Sequence, residues 1–135
     1  MGGAVTAAAR LDGLQGRWLV LRALRHADGT RATFRGEARW DGGTCEESGE
    51  LRLGAAAMPA RRATRWAAEG GRLLVRFEDG RPFHAVAGEA EHRCPPDLYR
   101  IGYDFALWPA GFACRWTVRG PRKDYRALTR YRRAG

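Results

Sequence analysis

The sequence is poor in hydroxyl nucleophiles. Its single serine, Ser48, is not part of a Gly-x-Ser-x-Gly motif, the turn that exposes the nucleophile of many hydrolases. A glycine-rich loop of the kind that cradles nucleotide phosphates is also missing. These two absences argue against a serine hydrolase and against a P-loop nucleotide-binding protein.

Cysteine is scarce, and its spacing does not form a recognised motif. The three cysteines, Cys45, Cys94 and Cys114, are separated by long and irregular gaps. Neither a disulfide framework nor a Cys-x-x-Cys metal clip is present. We therefore expect free thiols that lie partly or fully buried in a protein of the reducing cytoplasm.

Long apolar segments are missing too. No segment approaches the ~20 apolar residues that a membrane-spanning helix requires. Residues 1–10 are rich in alanine but have neither the basic start nor the apolar centre of a signal peptide. We therefore expect a cytoplasmic protein without a membrane partner.

The positive charge of the chain comes almost entirely from arginine. Lysine and arginine together number 24, of which Lys123 is the one lysine, against 15 acidic residues, and the formal net charge is +9. A basic balance can indicate nucleic-acid binding. The arginines are spread over nearly every predicted strand, however, so nucleic acid is not the expected partner. A barrel that contacts protein or RNA through an arginine-rich outer face remains an alternative.

Apolar and polar residues alternate with a period of two along most of the chain, and no stretch of ten or more residues has a helical pattern. Turn signals such as Asp28-Gly29 and Asp79-Gly80 separate the alternating runs. The pattern predicts an all-β fold, a single antiparallel up-and-down β-barrel of about eight to nine strands. The length permits one domain, which we expect over residues 13–135 after a flexible tail of residues 1–12.

The inner face of the predicted barrel combines large and small side chains. Gly36 and Ala38 stand between Phe34 and Trp40 on one face of the second strand, which predicts a wall that leaves space inside. The residues expected to line the interior are Trp18, Phe34, Trp40, Val75, Phe77, Tyr103, Phe105 and Trp116.

The first predicted strand opens with a glycine two residues before a tryptophan, Gly16 and Trp18. This opening resembles the first strand of the calycins, the superfamily of lipocalins, fatty-acid-binding proteins and avidins. The resemblance implies that a basic side chain from the last strand lies across the tryptophan, and residues 129–133 could supply it.

Several segments, in one order along most of the chain, resemble the bacterial family catalogued as domain of unknown function 6314. They are residues 14–18 (LQGRW), 34–38 (FRGEA), 47–51 (ESGEL), 77–84 (FEDGRPFH), 92–99 (HRCPPDLY), 120–125 (GPRKDY) and 129–131 (TRY). The resemblance implies a small lipocalin-like barrel. The family has no established activity, so the resemblance leaves the function open.

Two titratable residues are expected to face the interior. Glu47 shares a face with Leu51, and a carboxylate buried there needs a partner or a proton. His84 follows Phe83, and alternation allows only one of these two side chains to point inward. An inward His84 could pair with Glu47 or bind a ligand.

The remaining candidate ligand-binding residues lie near the ends of the predicted strands. Tyr99 and Tyr103 could present hydroxyl groups to a ligand, or their hydroxyls could simply reach the barrel mouth. Arg122 and Lys123 lie in the last turn, where two cations would attract a carboxylate or a phosphate. Alternatively, Lys123 is exposed and Arg122 pairs with an aspartate, either Asp97 or Asp104.

The spacing His92-x-Cys94-x-x-Asp97 provides three possible metal ligands. Two prolines lie within it and no second cluster completes a set of four ligands, so we expect a rigid hairpin there and no metal site. A histidine such as His84 could hold haem in a barrel similar to nitrobindin. Nothing else in the sequence indicates haem, and no cofactor is expected.

These observations predict a small-molecule-binding barrel, either a monomer or a homodimer. The expected ligand is small, partly apolar and anionic, and the residues expected to bind it are Glu47, His84, Tyr99, Tyr103, Arg122 and Lys123. An alternative is a calycin-type enzyme that draws acid or base chemistry from Glu47, His84, His92 or Asp97.

Overall fold

The computed structural model describes residues 5–88 and 90–134. These residues form one helix and ten strands. In chain order, the elements are α1 (Ala7–Leu14), β1 (Gly16–His26), β2 (Arg31–Asp41), β3 (Thr44–Leu53), β4 (Ala56–Glu69), β5 (Arg72–Phe77), β6 (Pro82–Ala85), β7 (Ala90–Cys94), β8 (Asp97–Asp104), β9 (Gly111–Arg119) and β10 (Asp124–Arg133).

The strands form a single antiparallel sheet in the order β6-β5-β4-β3-β2-β1-β10-β9-β8-β7. Neighbouring strands in the sheet are also consecutive in sequence, with one exception. Strands β1 and β10 pair with each other, and this pairing brings the two ends of the chain together. The segment after β6 brings the sheet edges close, because Val86 N donates to Leu73 O at 2.8 Å and Tyr103 N donates to Ala87 O at 2.9 Å. The predicted antiparallel barrel is therefore confirmed in a nearly closed form.

The barrel has ten strands rather than the predicted eight to nine. The additional strand is β7, which pairs with β8 from Ala90↔Ile101 to Cys94↔Asp97. The sequence analysis expected a rigid hairpin around Pro95 and Pro96 but did not identify the strand before it. These two prolines form a tight turn, so the residues before them reach the sheet; Glu89 itself lies outside the described residues.

Helix α1 closes one end of the barrel. Thr6 caps it, since its Oγ1 accepts a hydrogen bond from Ala9 N at 3.1 Å. Its last residue, Leu14, is only 1% exposed, and the Leu14 carbonyl accepts a hydrogen bond from Trp18 Nε1 at 2.8 Å. Residues 7–12, expected within a flexible tail, are thus helical, whereas residues 1–4 of that tail and Gly135 lie outside the described residues.

Aromatic side chains fill the interior at the helix end. The Trp18 ring lies 5.1 Å from Phe112 and 5.8 Å from Trp108, and Trp40 lies 5.3 Å from Trp66. All eight residues that were predicted to line the interior belong to this core or pack against it.

The basic residue that the calycin resemblance implied is Arg133. Its guanidinium carbon lies 4.0 Å from the centre of the Trp18 ring. The same guanidinium donates hydrogen bonds to the carbonyl groups of Gln15 and Gly13. This cation–π contact therefore joins the last strand to the first strand and to the end of α1.

A β-bulge overturns the expectation that only one of Phe83 and His84 faces inward. Pairing between β5 and β6 jumps from Val75↔His84 to Arg76↔Pro82, which leaves Phe83 without a partner in register. Phe83 is 4% exposed and His84 is 9% exposed. The bulge interrupts the alternation, and both side chains are buried among interior aromatic rings.

The helix found within residues 5–88 and 90–134 is neither long nor apolar enough to cross a membrane.

Candidate functional site

An ion cluster lies inside the barrel at mid-depth. Glu47 on β3 has a side chain that is only 4% exposed, and it contacts two arginines. Arg22 Nη2 on β1 lies 2.8 Å from Glu47 Oε1, and Arg62 Nη2 on β4 lies 3.1 Å from Glu47 Oε2. Glu47 thus faces inward, as its alternation with Leu51 predicted, and it has the charged partners that a buried carboxylate needs.

Strand β10 completes the cluster with two hydroxyl groups. Tyr131 donates its hydroxyl hydrogen to Glu47 Oε2 at 2.8 Å, and Arg22 Nε donates to Thr129 Oγ1 at 2.7 Å. Thr129 is 1% exposed and Tyr131 is 8% exposed. Contacts among β1, β3, β4 and β10 therefore hold the positions of Glu47 and Arg22.

The cluster keeps Glu47 ionised. Burial alone raises the pKa of this carboxyl group. The charges of Arg62 and Arg22, with the hydrogen bonds from Arg22 and Tyr131, outweigh burial and lower the pKa to about 2. Glu47 is therefore an anion at neutral pH.

Arg62 differs from Arg22 in its access to solvent. The Arg62 side chain is 37% exposed, whereas that of Arg22 is 13% exposed. The Arg62 guanidinium makes one hydrogen bond within the described part of the chain, the bond to Glu47. Its guanidinium carbon lies 5.0 Å from the centre of the Trp116 ring. Arg62 therefore offers further N–H donors beside an aromatic wall.

The barrel end opposite α1 is open to water. Near α1 most inward-facing side chains are almost fully buried, whereas beyond the ion cluster buried side chains such as Val118 and Ala127 alternate around the barrel with half-buried ones. The half-buried set comprises Leu24, Ala32, Leu51, Ala60, Phe77 and Tyr125. We call this open half of the interior, lined by these residues and floored by Arg22, Glu47 and Arg62, the cup.

His84 and Tyr103 form a second polar contact inside the barrel. His84 Nε2 lies 2.9 Å from the Tyr103 hydroxyl, and the His84 ring lies 6.2 Å from the Trp116 ring. The alternative pairing of His84 with Glu47 is therefore wrong, because Glu47 is engaged by the two arginines and Tyr131. Burial and, to a smaller extent, the charge of Arg62 lower the pKa of His84 to about 3, so the ring is neutral.

Tyr99 and Lys123 meet at the rim of the cup. Lys123 Nζ donates to the Tyr99 hydroxyl at 3.2 Å and lies 3.3 Å from Asp97 Oδ2. The hydrogen bonds to Tyr99 and Asp97 raise the pKa of Lys123. Arg122 is exposed on the same turn. The aspartate pairing considered for Arg122 is thus made by its neighbour Lys123, whose side chain reaches Asp97.

Sequence reasoning identified Glu47 but missed its two arginine partners. Both arginines lie on apolar faces of their strands: Arg22 alternates with Trp18 and Val20, and Arg62 alternates with Trp66. An arginine on an apolar strand face indicates a buried charge that needs an acidic partner, and this signal was available in the sequence. It was hidden because arginine is common on every strand of this chain.

The four residues considered for acid or base chemistry do not form one site. Glu47 is bound by the ion cluster and His84 by Tyr103, as described above. The His92 ring lies 5.7 Å from the Phe83 ring, and Asp97 pairs with Lys123.

The cysteines do not pair with one another. Cys45 and Cys114 are buried and Cys94 is half-buried, and all three thiols are free, as predicted. Burial is the main cause that raises the pKa of Cys114 to about 11. Within residues 5–88 and 90–134, no group of three or more His, Cys, Asp and Glu side chains could hold a metal ion.

A groove of about 960 Å³ lies on the outer face of the barrel, across β1, β9 and β10. Three exposed leucines line it: Leu19 is 37% exposed, Leu21 46% and Leu107 74%. Its arginines form no ion pair with any residue in the described part of the chain. They are Arg35, Arg115, Arg130 and Arg132.

Comparison with known proteins supports the resemblance stated from the sequence. The sequence model of a family of unknown function, DUF6314, matches residues 14–133. A comparison with curated proteins finds no match.

One solved structure similar to this chain is the S-type phycobiliprotein lyase CPES from Guillardia theta. The TM-score is 0.63 at 10% sequence identity, and the superposition covers 96% of this chain and 93% of the lyase chain. At this identity the likeness concerns the fold alone.

Proposed function

The chain belongs to DUF6314, a family of unknown function, and from this premise we propose that it binds a small, partly apolar anion in the cup. The ligand's anionic group contacts Arg62, and its apolar body lies against Trp116 and the half-buried residues of the cup. We further propose that the protein acts in the cytoplasm, where its free cysteines remain reduced.

The observation that carries this proposal is the incomplete pairing of Arg62. A guanidinium has five N–H donors and binds carboxylates and similar anions through two of them at once. Arg62 uses one hydrogen bond for Glu47 and keeps 37% of its side chain exposed inside the barrel. A structural ion pair alone would not require an arginine that keeps more than a third of its side chain exposed to water.

The other residues expected from the sequence surround this point. Tyr103 and His84 lie on the wall near Trp116, and Tyr99, Lys123 and Arg122 lie at the rim, where cations would attract an anion towards the cup. The similar fold of a phycobiliprotein lyase supports the idea that a barrel of this shape can serve a protein that handles small molecules.

Neighbouring arginines on β4 permit a matched test. Arg62 faces the interior, whereas Arg61 is exposed and pairs with Glu46 on the outer face. We would titrate the protein with octyl sulfate by isothermal calorimetry, and compare the Arg62→Met and Arg61→Met variants, which remove the same charge.

Arg62→Met is expected to weaken binding about 10- to 100-fold, because a charge-assisted hydrogen bond contributes about 1.5–3 kcal/mol. Arg61→Met is expected to leave binding nearly unchanged. Equal losses in both variants would mean that octyl sulfate responds only to net charge, and the proposal would then be rejected.

The outer groove supports a second candidate function, the docking of an acidic protein segment. Exposed leucines beside four arginines without ion pairs match a partner that carries both apolar and acidic side chains. RNA would use the arginines but would leave Leu19, Leu21 and Leu107 without a role, so the groove favours protein.

A short synthetic peptide that alternates glutamate and leucine can test this second candidate. Arg130 lines the groove, and Arg130→Glu is expected to weaken peptide binding about 10-fold or more. Arg65 is exposed on β4 outside the groove, and Arg65→Glu is expected to change peptide binding little. If both variants weaken binding equally, the attraction is not local to the groove and the candidate fails.

A further inference from the structure

The ion cluster contains three charges, and we infer that Glu47 restricts the ligand of the cup to a single negative charge. This inference rests on the proposed function and names its ligand class: amphipathic monoanions, such as carboxylates and sulfates, rather than dianions such as phosphate monoesters.

The charge count follows from the side chains that face the cluster. Arg22 and Arg62 carry one positive charge each and Glu47 carries one negative charge, so the cluster is +1. The other titratable groups around it are neutral at pH 7: burial raises the pKa values of Tyr103, Tyr131, Cys45 and Cys114 and lowers that of His84. At the rim, Lys123 is paired with Asp97, and Arg122 on the same turn is exposed to water, where solvent screens its charge.

One negative charge from a ligand that covers Arg62 would bring this partly buried cluster to neutrality. A charge removed from water needs a compensating charge, and an excess of either sign in a buried site is unfavourable. A dianion bound at Arg62 would leave an excess of one negative charge close to Glu47, whose carboxylate lies 3.1 Å from the same guanidinium. Repulsion from Glu47 therefore acts against the second charge.

Octyl sulfate and octyl phosphate test this directly, because they share an apolar chain and a tetrahedral head group. The sulfate keeps one charge, whereas the phosphate becomes a dianion above its second pKa of about 6. Wild-type protein near pH 8 is expected to bind octyl sulfate about 10- to 100-fold more tightly than octyl phosphate. Near pH 5, where octyl phosphate carries about one charge, the two affinities are expected to converge.

In the Glu47→Gln variant, the preference for octyl sulfate over octyl phosphate is expected to be reversed. This substitution raises the cluster charge to +2 without a large change in shape, so octyl phosphate is expected to become the tighter ligand near pH 8. Glu46→Gln, the exposed neighbour on the same strand, is the control and is expected to keep the wild-type preference. If Glu47→Gln does not fold, the wild-type comparison at the two pH values still decides the matter.

The outcomes separate this inference from the proposed function. If both ligands bind wild-type protein equally near pH 8 and both depend on Arg62, the cup binds anions but Glu47 does not select their charge, and the inference is overturned. If neither ligand depends on Arg62, the proposed function fails as well.

Discussion

Arg61 and Arg62 are adjacent in sequence but have different surroundings. Alternation on β4 places Arg61 outside, beside Glu46, and Arg62 inside, beside Glu47. The inward position of Arg62 could be predicted from its alternation with Trp66. Its contact with Glu47 could not, because that contact depends on the register Glu47↔Arg62 between two strands, which the single sequence does not specify.

His84 gives a prediction about pH at the residue scale. Its pKa is about 3 in the folded protein against an ordinary value of 6.5, with burial as the main cause. At a pH between these two pKa values, His84 binds a proton in the unfolded chain but not in the folded protein. The contribution of His84 to stability is therefore complete above pH 6.5 and is lost as pH falls towards 3.

We expect wild-type protein to lose stability between pH 6.5 and 4.5, with His84 contributing up to about 1.4 kcal/mol per pH unit. His84→Phe is expected to reduce this slope, although removal of the Tyr103 contact lowers stability at pH 7 by about 1 kcal/mol. Urea unfolding at several pH values measures both effects. An unchanged slope in His84→Phe would show that the folded-state pKa of His84 is not lowered.

At the scale of elements, local interruptions of the alternation explain most differences between prediction and structure. Helix α1 has only eight residues, and its apolar face consists of Ala7, Leu11 and Leu14 alone, which is too short a pattern for periodicity to identify. Strand β7 was hidden by the prolines that follow it. The bulge at Phe83 depends on the neighbouring strand β5, so an inspection of β6 alone could not predict it.

Two glycines on the inner face, Gly36 and Gly49, pair with each other across β2 and β3. A Cβ atom at Gly36 would lie 2.2 Å from the Ser48 carbonyl oxygen and 2.8 Å from the Gly49 Cα atom. These contacts involve backbone, which cannot move aside as a flexible side chain can. Small inner residues, predicted to leave space, thus also permit the strands to approach closely.

Gly36→Ala is therefore expected to destabilise the protein by about 3 kcal/mol, at the upper end of overpacking effects. Gly88→Ala is the matched control, because a Cβ at that position meets no atom within 4 Å. Urea unfolding followed by tryptophan fluorescence measures both variants. Equal stability of the two would contradict the close strand approach at Gly36.

At the scale of the whole molecule, the sequence predicted the barrel well because its main signals are local. Alternation, turn residues and the Gly16-x-Trp18 opening each come from a few adjacent residues. The ion cluster required long-range information, since Arg22, Glu47 and Tyr131 lie on strands far apart in sequence. All strands of a barrel contribute side chains to its interior, so the contacts among those side chains depend on how the strands pair.

Helix α1 closes one end of the barrel, and we propose that the open cup at the other end binds an anion at Arg62. A crystal structure of the protein with octyl sulfate would test this most directly. Sulfate oxygens are expected at hydrogen-bond distance, about 3 Å, from the Arg62 guanidinium, with the octyl chain against Trp116. Octyl sulfate found only on the outer arginines, or absent from the barrel interior at saturating concentration, would contradict it.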